Sequence, residues 1–98
     1  MFVILWEYEV KPGYEERFES VYGPQGDWAR LFQSNSHYRE TRLLRDASRP
    51  RSYFTLDYWD TEHSFEAFQA ANHVAYAALD RSTENLTISE RRVTAFLL

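Results

Sequence analysis

Apolar residues recur in this chain with two different periods, and the order in which those periods alternate leaves few folds open. From Phe2 to Val10 the period is two, with Phe2, Ile4, Trp6, Tyr8 and Val10 on one side and Val3, Leu5, Glu7 and Glu9 on the other. After the turn Lys11-Pro12-Gly13 the spacing becomes helical through Tyr14, Phe18, Val21 and Tyr22, with Glu15 and Glu16 in the first turn, where the helix dipole favours them. Gly23-Pro24-Gln25-Gly26 breaks that helix. A second short helix then starts with Asp27 as its expected N-cap and carries Trp28, Leu31 and Phe32.

Two further strands follow, Tyr38 to Arg45 and Ser52 to Trp59, joined by the hairpin loop Asp46 to Pro50. In the second of them Phe54, Leu56 and Tyr58 alternate with Tyr53, Thr55, Asp57 and Trp59. A long helix capped by Asp60 or Thr61 is expected to run to about Asp80 on the stripe Phe65, Phe68, Asn72, Ala75/Tyr76, Leu79. Thr87 to Leu98 closes the chain as a fourth strand.

The order β-α-β-β-α-β predicts an α+β, ferredoxin-like fold with an antiparallel sheet. Ninety-eight residues suffice for a single domain, 1–98, with one core. Both helical segments would cover one face of the sheet. The other face, expected to carry Val3, Leu5, Tyr53 and Trp59, would be left to water in a monomer, which predicts a homodimer with sheet packed on sheet. Phe, Trp and Tyr make up 17% of the residues. That exceeds what one small core needs, so some rings should line a pocket or an interface.

Several function classes are disfavoured. A net charge of -4 argues against nucleic acid, and the cluster Arg39, Arg42, Arg45, Arg49, Arg51 reads as a solvated surface. The chain has no cysteine for disulfides, thiolate metal sites or a cysteine nucleophile. Met1 to Trp6 is apolar, but Glu7 and Glu9 follow at once, so no membrane span is expected and the cytoplasm is the expected compartment. His37, His63 and His73 lack metal-ligand spacing, and Gly13, Gly23 and Gly26 fit no phosphate loop. No metal and no cofactor are therefore expected.

The remaining candidates are rings. Strand parity assigns Trp6 and Tyr8 to the helix side of the first strand, and Tyr58 is expected to face the helices with Phe54 and Leu56. Trp28 and Phe32 would arch over the sheet after the Gly-Pro break, leaving space beneath, unless the break is only a helix-helix corner. Phe68 and Tyr76 lie on the long-helix stripe. Asn72 is the only polar residue of that stripe and needs a partner, either a core hydroxyl such as Tyr8 or Tyr58 or a ligand oxygen. His73 and His63 are the candidate general bases, since imidazole titrates near neutrality.

Taken together, the turn Lys11-Pro12-Gly13-Tyr14-Glu15-Glu16-Arg17-Phe18 and the stretch Tyr58-Trp59-Asp60 leading into Glu62-His63-Ser64-Phe65-Glu66-Ala67-Phe68 resemble the antibiotic biosynthesis monooxygenase family of dimeric α+β barrels. The resemblance runs over essentially the whole chain. It implies a homodimer with one pocket per subunit and oxidation of an aromatic substrate by molecular oxygen, without metal or flavin. A haem-degrading branch of the family has an asparagine, a tryptophan and a histidine at positions that fall here on Trp6, Phe68 and Ala78, so haem chemistry is disfavoured. The reading that follows is a cofactor-independent monooxygenase acting on a phenol, quinol or anthrone. In it Trp6, Trp28, Phe32, Tyr58 and Phe68 hold the ring, Tyr8, Asn72 and Tyr76 bond its oxygens, and His73 or His63 serves as base. The alternatives are a non-catalytic dimer that binds a small molecule or only supports a partner protein, and an isomerase or cyclase on the same barrel.

Overall fold

The computed structural model describes residues 1–98 as four strands and four helices. In chain order they are β1 (Phe2–Val10), α1 (Glu15–Tyr22), α2 (Asp27–Phe32), β2 (Tyr38–Arg45), β3 (Ser52–Trp59), α3 (Glu62–Ala71), α4 (His73–Thr83) and β4 (Thr87–Leu97). A single 3₁₀ turn, Glu84–Leu86, leads into β4. The strands form one sheet in the order β2-β3-β1-β4 with every neighbouring pair antiparallel, which is the ferredoxin-like α+β arrangement. No helix is long and apolar enough to cross a membrane.

Register decides which side chains meet the helices. Phe2 pairs with Trp59, Ile4 with Asp57, Trp6 with Thr55 and Tyr8 with Tyr53. Directly opposed residues share a face, so Tyr53, Thr55, Asp57 and Trp59 point into the core. This corrects the expectation that Tyr58, Phe54 and Leu56 face the helices and that Tyr53 and Trp59 sit on the bare side. Alternation gives the period of a strand but not its phase when both faces carry apolar residues, and a one-residue slip exchanges the faces. Trp59 is fully buried against Phe32, Tyr38, Phe65 and Phe68, with ring centroids 5.2 to 5.5 Å apart. Phe18 stacks on Tyr22 at 4.3 Å and meets Tyr8 edge-on at 5.1 Å.

The helical segments differ from expectation at two points. The α2 helix begins at Asp27 itself with Gly26 as its N-cap, and the Asp27 carboxylate accepts a hydrogen bond from Arg30 at 3.0 Å. The expected long helix is two helices, α3 and α4, broken at Asn72 (φ -120°, ψ 25°). There the Asn72 side-chain amide donates to the Phe68 carbonyl at 3.0 Å, the local backbone bonding through which asparagine competes with helix continuation. At the start of α3 the cap is Thr61, in a reciprocal box with Ser64.

Gly26 makes the α1–α2 corner possible. A Cβ placed on it would lie 2.3 Å from the Val21 carbonyl oxygen and 2.5 Å from that of Ser20. These are backbone atoms at a helix end and cannot swing aside. Gly26→Ala should therefore force the two helices apart and lower stability by about 1–3 kcal/mol, the usual penalty of overpacking, read as a fall in thermal midpoint by circular dichroism.

Candidate active site

Between the helices and the sheet lies a cavity of about 180 Å³ that opens to solvent. The sheet supplies its floor. Trp6 and Tyr8 come from β1, Thr41 from β2, Thr55 and Asp57 from β3 and Glu90 from β4. The helices supply its walls, with Tyr22 from α1, Trp28 and Phe32 from α2, Gln69 from α3, and Tyr76 and Asp80 from α4. Trp28 belongs both to the packed corner and to the cavity wall. It contacts Tyr22, Phe32 and, edge-on at 5.0 Å, Tyr76.

At the floor stands a carboxylate. Asp57 is only 7% exposed. One of its oxygens accepts a hydrogen bond from the Thr41 hydroxyl at 2.8 Å, and Thr41 in turn lies 2.7 Å from the Tyr38 hydroxyl. Because Thr41 gives its proton to Asp57, Tyr38 must be the donor to Thr41, which sets the direction of the chain. No side chain or backbone donor reaches the second Asp57 oxygen. Burial raises the Asp57 pKa to about 6, against the opposing effect of the Thr41 bond. A carboxylate in that range is largely ionised at neutral pH yet more basic than one at the surface, which suits proton abstraction.

The phenols around it are held in their protonated form. Burial, followed by the charge of Asp57, lifts Tyr8 well above the usual phenol range. Tyr22 is pushed up to about 12, mainly by burial, and so is Tyr76, where Asp57, Asp80 and Glu90 add to the effect. Tyr8 shares a 3.1 Å hydrogen bond with Thr55, and Tyr22 donates to Thr83 at 3.2 Å. The Trp28 indole N–H is buried without a partner. The site thus combines the basic carboxylate of Asp57 with two further acids, Asp80 and Glu90, neutral donors and ring faces.

Of the residues singled out from sequence, Trp6, Tyr8, Trp28, Phe32 and Tyr76 line the cavity. The others lie elsewhere. Tyr58 is on the far face of the sheet, beneath the Arg42 guanidinium at 5.4 Å. Phe68 is buried between Phe32 and Trp59, and Asn72 is used by the helix break. His63 and His73 are both exposed on the helix surface, with the His73 ring nitrogen Nδ1 3.2 Å from the Ala70 carbonyl oxygen. Sequence reasoning missed Asp57 because it assigned the residue to the wrong face. The available signal was a lone carboxylate in the middle of a strand of β-formers.

A family model described as antibiotic biosynthesis monooxygenase matches residues 1–78. Among solved structures, SnoaB, a cofactor-independent oxygenase from Streptomyces nogalater, superposes with a TM-score of 0.73 at 20% identity, covering 99% of this chain and 91% of that one. A conserved protein from Methanosarcina mazei Go1 gives 0.71 at 12% identity, covering 97% and 89%. A point mutant of MhuD with two manganese protoporphyrin IX bound per active site gives 0.73 at 18% identity, covering 100% and 94%. At these identities the likeness is one of fold. No curated protein matches the chain in sequence. The residues here do not fit a haem, since no histidine lines the cavity and Asp57, Asp80 and Glu90 would confront the propionates of a porphyrin.

Proposed function

The chain belongs to the antibiotic biosynthesis monooxygenase family, and from that premise we propose that it is a cofactor-independent monooxygenase whose general base is Asp57. The observation that carries the proposal is a buried carboxylate, with one oxygen free of protein donors, at the floor of a ring-walled cavity. A cavity of about 180 Å³ is smaller than the roughly 300–1,000 Å³ pockets of drug-sized ligands, which favours a substrate of one or two rings.

The substrate ring lies among Trp6, Trp28 and Phe32, and Tyr8 and Tyr76 stand as donors toward its oxygen. Asp57 takes a proton from an acidic C–H of the substrate and becomes a carboxylic acid. The electron pair left on carbon adds to molecular oxygen, and a proton completes a hydroperoxide. Loss of water leaves a carbonyl, so that R₂CH₂ and O₂ give R₂C=O and H₂O. Tyr58, Phe68, Asn72, His63 and His73 have no part in this scheme because none of them reaches the cavity. An oxygen electrode tests the reading with 2-tetralone, a two-ring ketone with an acidic methylene, and with the larger three-ring anthrone. Saturable uptake, with one O₂ consumed per carbonyl formed from 2-tetralone, is expected. Saturable binding with no uptake would make the chain a binding module.

The proposal includes a homodimer built on the far face of the sheet. Leu5, Phe54, Leu56 and Tyr58 lie there half exposed, and Leu44 and Phe96 are 46% and 47% exposed. Packing two such faces together removes apolar surface that one copy leaves in water. Leu56→Arg, at the centre of that face, should convert a dimer into a folded monomer in sedimentation at micromolar concentration. A wild-type chain that already sediments as a monomer would remove the dimer from the account.

A further inference from the structure

Three carboxylates converge on the cavity from three different elements, Asp57 from β3, Asp80 from α4 and Glu90 from β4, and no lysine, arginine or histidine lines it. Every ion pair in the chain uses other acids, namely Glu7, Glu19, Asp27, Glu40 and Asp60. The three are therefore charges without a counterion. For Asp57 this is most costly, since it is more than nine-tenths buried and one of its oxygens has no donor. The group is too spread out for a metal, because no set of three acidic or histidine side chains is placed to hold one. Between them stand the rings of Trp6, Tyr8, Tyr22, Trp28, Phe32 and Tyr76, whose faces attract cations.

We propose that this cavity selects an aromatic substrate carrying a protonated amine, with the ammonium group held by Asp80 and Glu90 against the ring walls and the acidic C–H presented to Asp57. The inference rests on the reading of this cavity as the reactive site, and it removes a difficulty in that reading. Once Asp57 has taken a proton, a neutral substrate would be left as an anion in a cavity that Asp80 and Glu90 also line. A substrate that brings its own positive charge becomes neutral overall at that step, so the same carboxylates that bind it no longer oppose its deprotonation.

Anaerobic calorimetry at pH 7.5 on the full chain, with three catechols that differ mainly in the charge of one short substituent, tests this without requiring turnover. The ammonium compound dopamine is expected to bind at least 10-fold more tightly than neutral 4-ethylcatechol, and anionic 3,4-dihydroxyphenylacetate to show no measurable binding. Glu90→Gln and Asp80→Asn should each weaken dopamine several-fold and leave 4-ethylcatechol unchanged. Equal or tighter binding of the neutral compound overturns the proposal, as does failure of dopamine to bind at millimolar concentration. The wild-type comparison decides the matter even if a variant fails to fold. Cation preference without oxygen uptake on any substrate would keep this assignment and sink the monooxygenase reading. Oxygen uptake without cation preference would do the reverse.

Discussion

Asp57→Asn should lose at least 100-fold in oxygen-dependent turnover and at the same time unfold at a higher temperature. The first effect follows from removing the base, since a positioned general base contributes about 10²–10⁴-fold. The second follows from the same burial that makes the carboxylate basic. Its pKa stands at about 6 in the folded chain against the ordinary carboxylate value of 3.8. Between those values the folded state binds the proton that the unfolded state has released. Stability is therefore lost as pH rises from about 4 to 6, and the full penalty, on the order of 3 kcal/mol, applies above that range. Asparagine carries no such penalty and can still accept the Thr41 hydrogen bond. At pH 7.5 the variant should gain on the order of 10 °C in thermal midpoint, and the gain should vanish near pH 4. Thermal melts at the two pH values, beside oxygen uptake, read both effects. A variant that gains stability but keeps its turnover would place the base elsewhere. One that loses stability at pH 7.5 would mean that the carboxylate has a favourable partner in the folded chain.

Trp59→Ala carries the largest expected structural effect. The ring is completely buried and packs on Phe32, Tyr38, Phe65 and Phe68, so it ties β3 to α2, β2 and α3 together. Truncating such a residue costs about 3–5 kcal/mol. A domain of this size has only about 5–15 kcal/mol in all. The variant should be unfolded or close to it at 37 °C, with loss of near-ultraviolet dichroism. The result also separates the two faces of β3. Were Trp59 on the outer face, as alternation alone suggested, its loss would weaken a dimer contact and leave the fold intact. Leu56→Ala, on that outer face, should unfold within a few degrees of the wild type.

Much of the architecture was legible because it depends on period and punctuation. The change from period two to helical spacing, the Gly23–Gly26 break and the hairpin at Asp46 to Pro50 each mark a boundary that local sterics enforce. Phase was not legible. β3 carries Phe54, Leu56 and Tyr58 on one side and Tyr53 and Trp59 on the other, and only pairing with β1 decides which set is covered. The same ambiguity hid the site. Five cavity residues could be chosen for being bulky rings on the right elements. Asp57, the residue that gives the cavity its chemistry, stood on the side thought to be bare. Asn72 misled for a different reason, since a polar residue on an apolar helical stripe looks like a ligand contact but here satisfies the end of its own helix.

The claim at the centre of this account is that Asp57 removes a proton from a substrate held in the cavity, and hydrogen exchange measures that step without oxygen. Anthrone and the smaller 2-tetralone each carry a methylene acidified by a ketone. In anaerobic D₂O the chain should catalyse replacement of those hydrogens by deuterium, followed by proton NMR, at a rate that rises as pH passes through about 6 and falls to the buffer rate in Asp57→Asn. Exchange no faster than in buffer for both compounds, or exchange undiminished in Asp57→Asn, would contradict it.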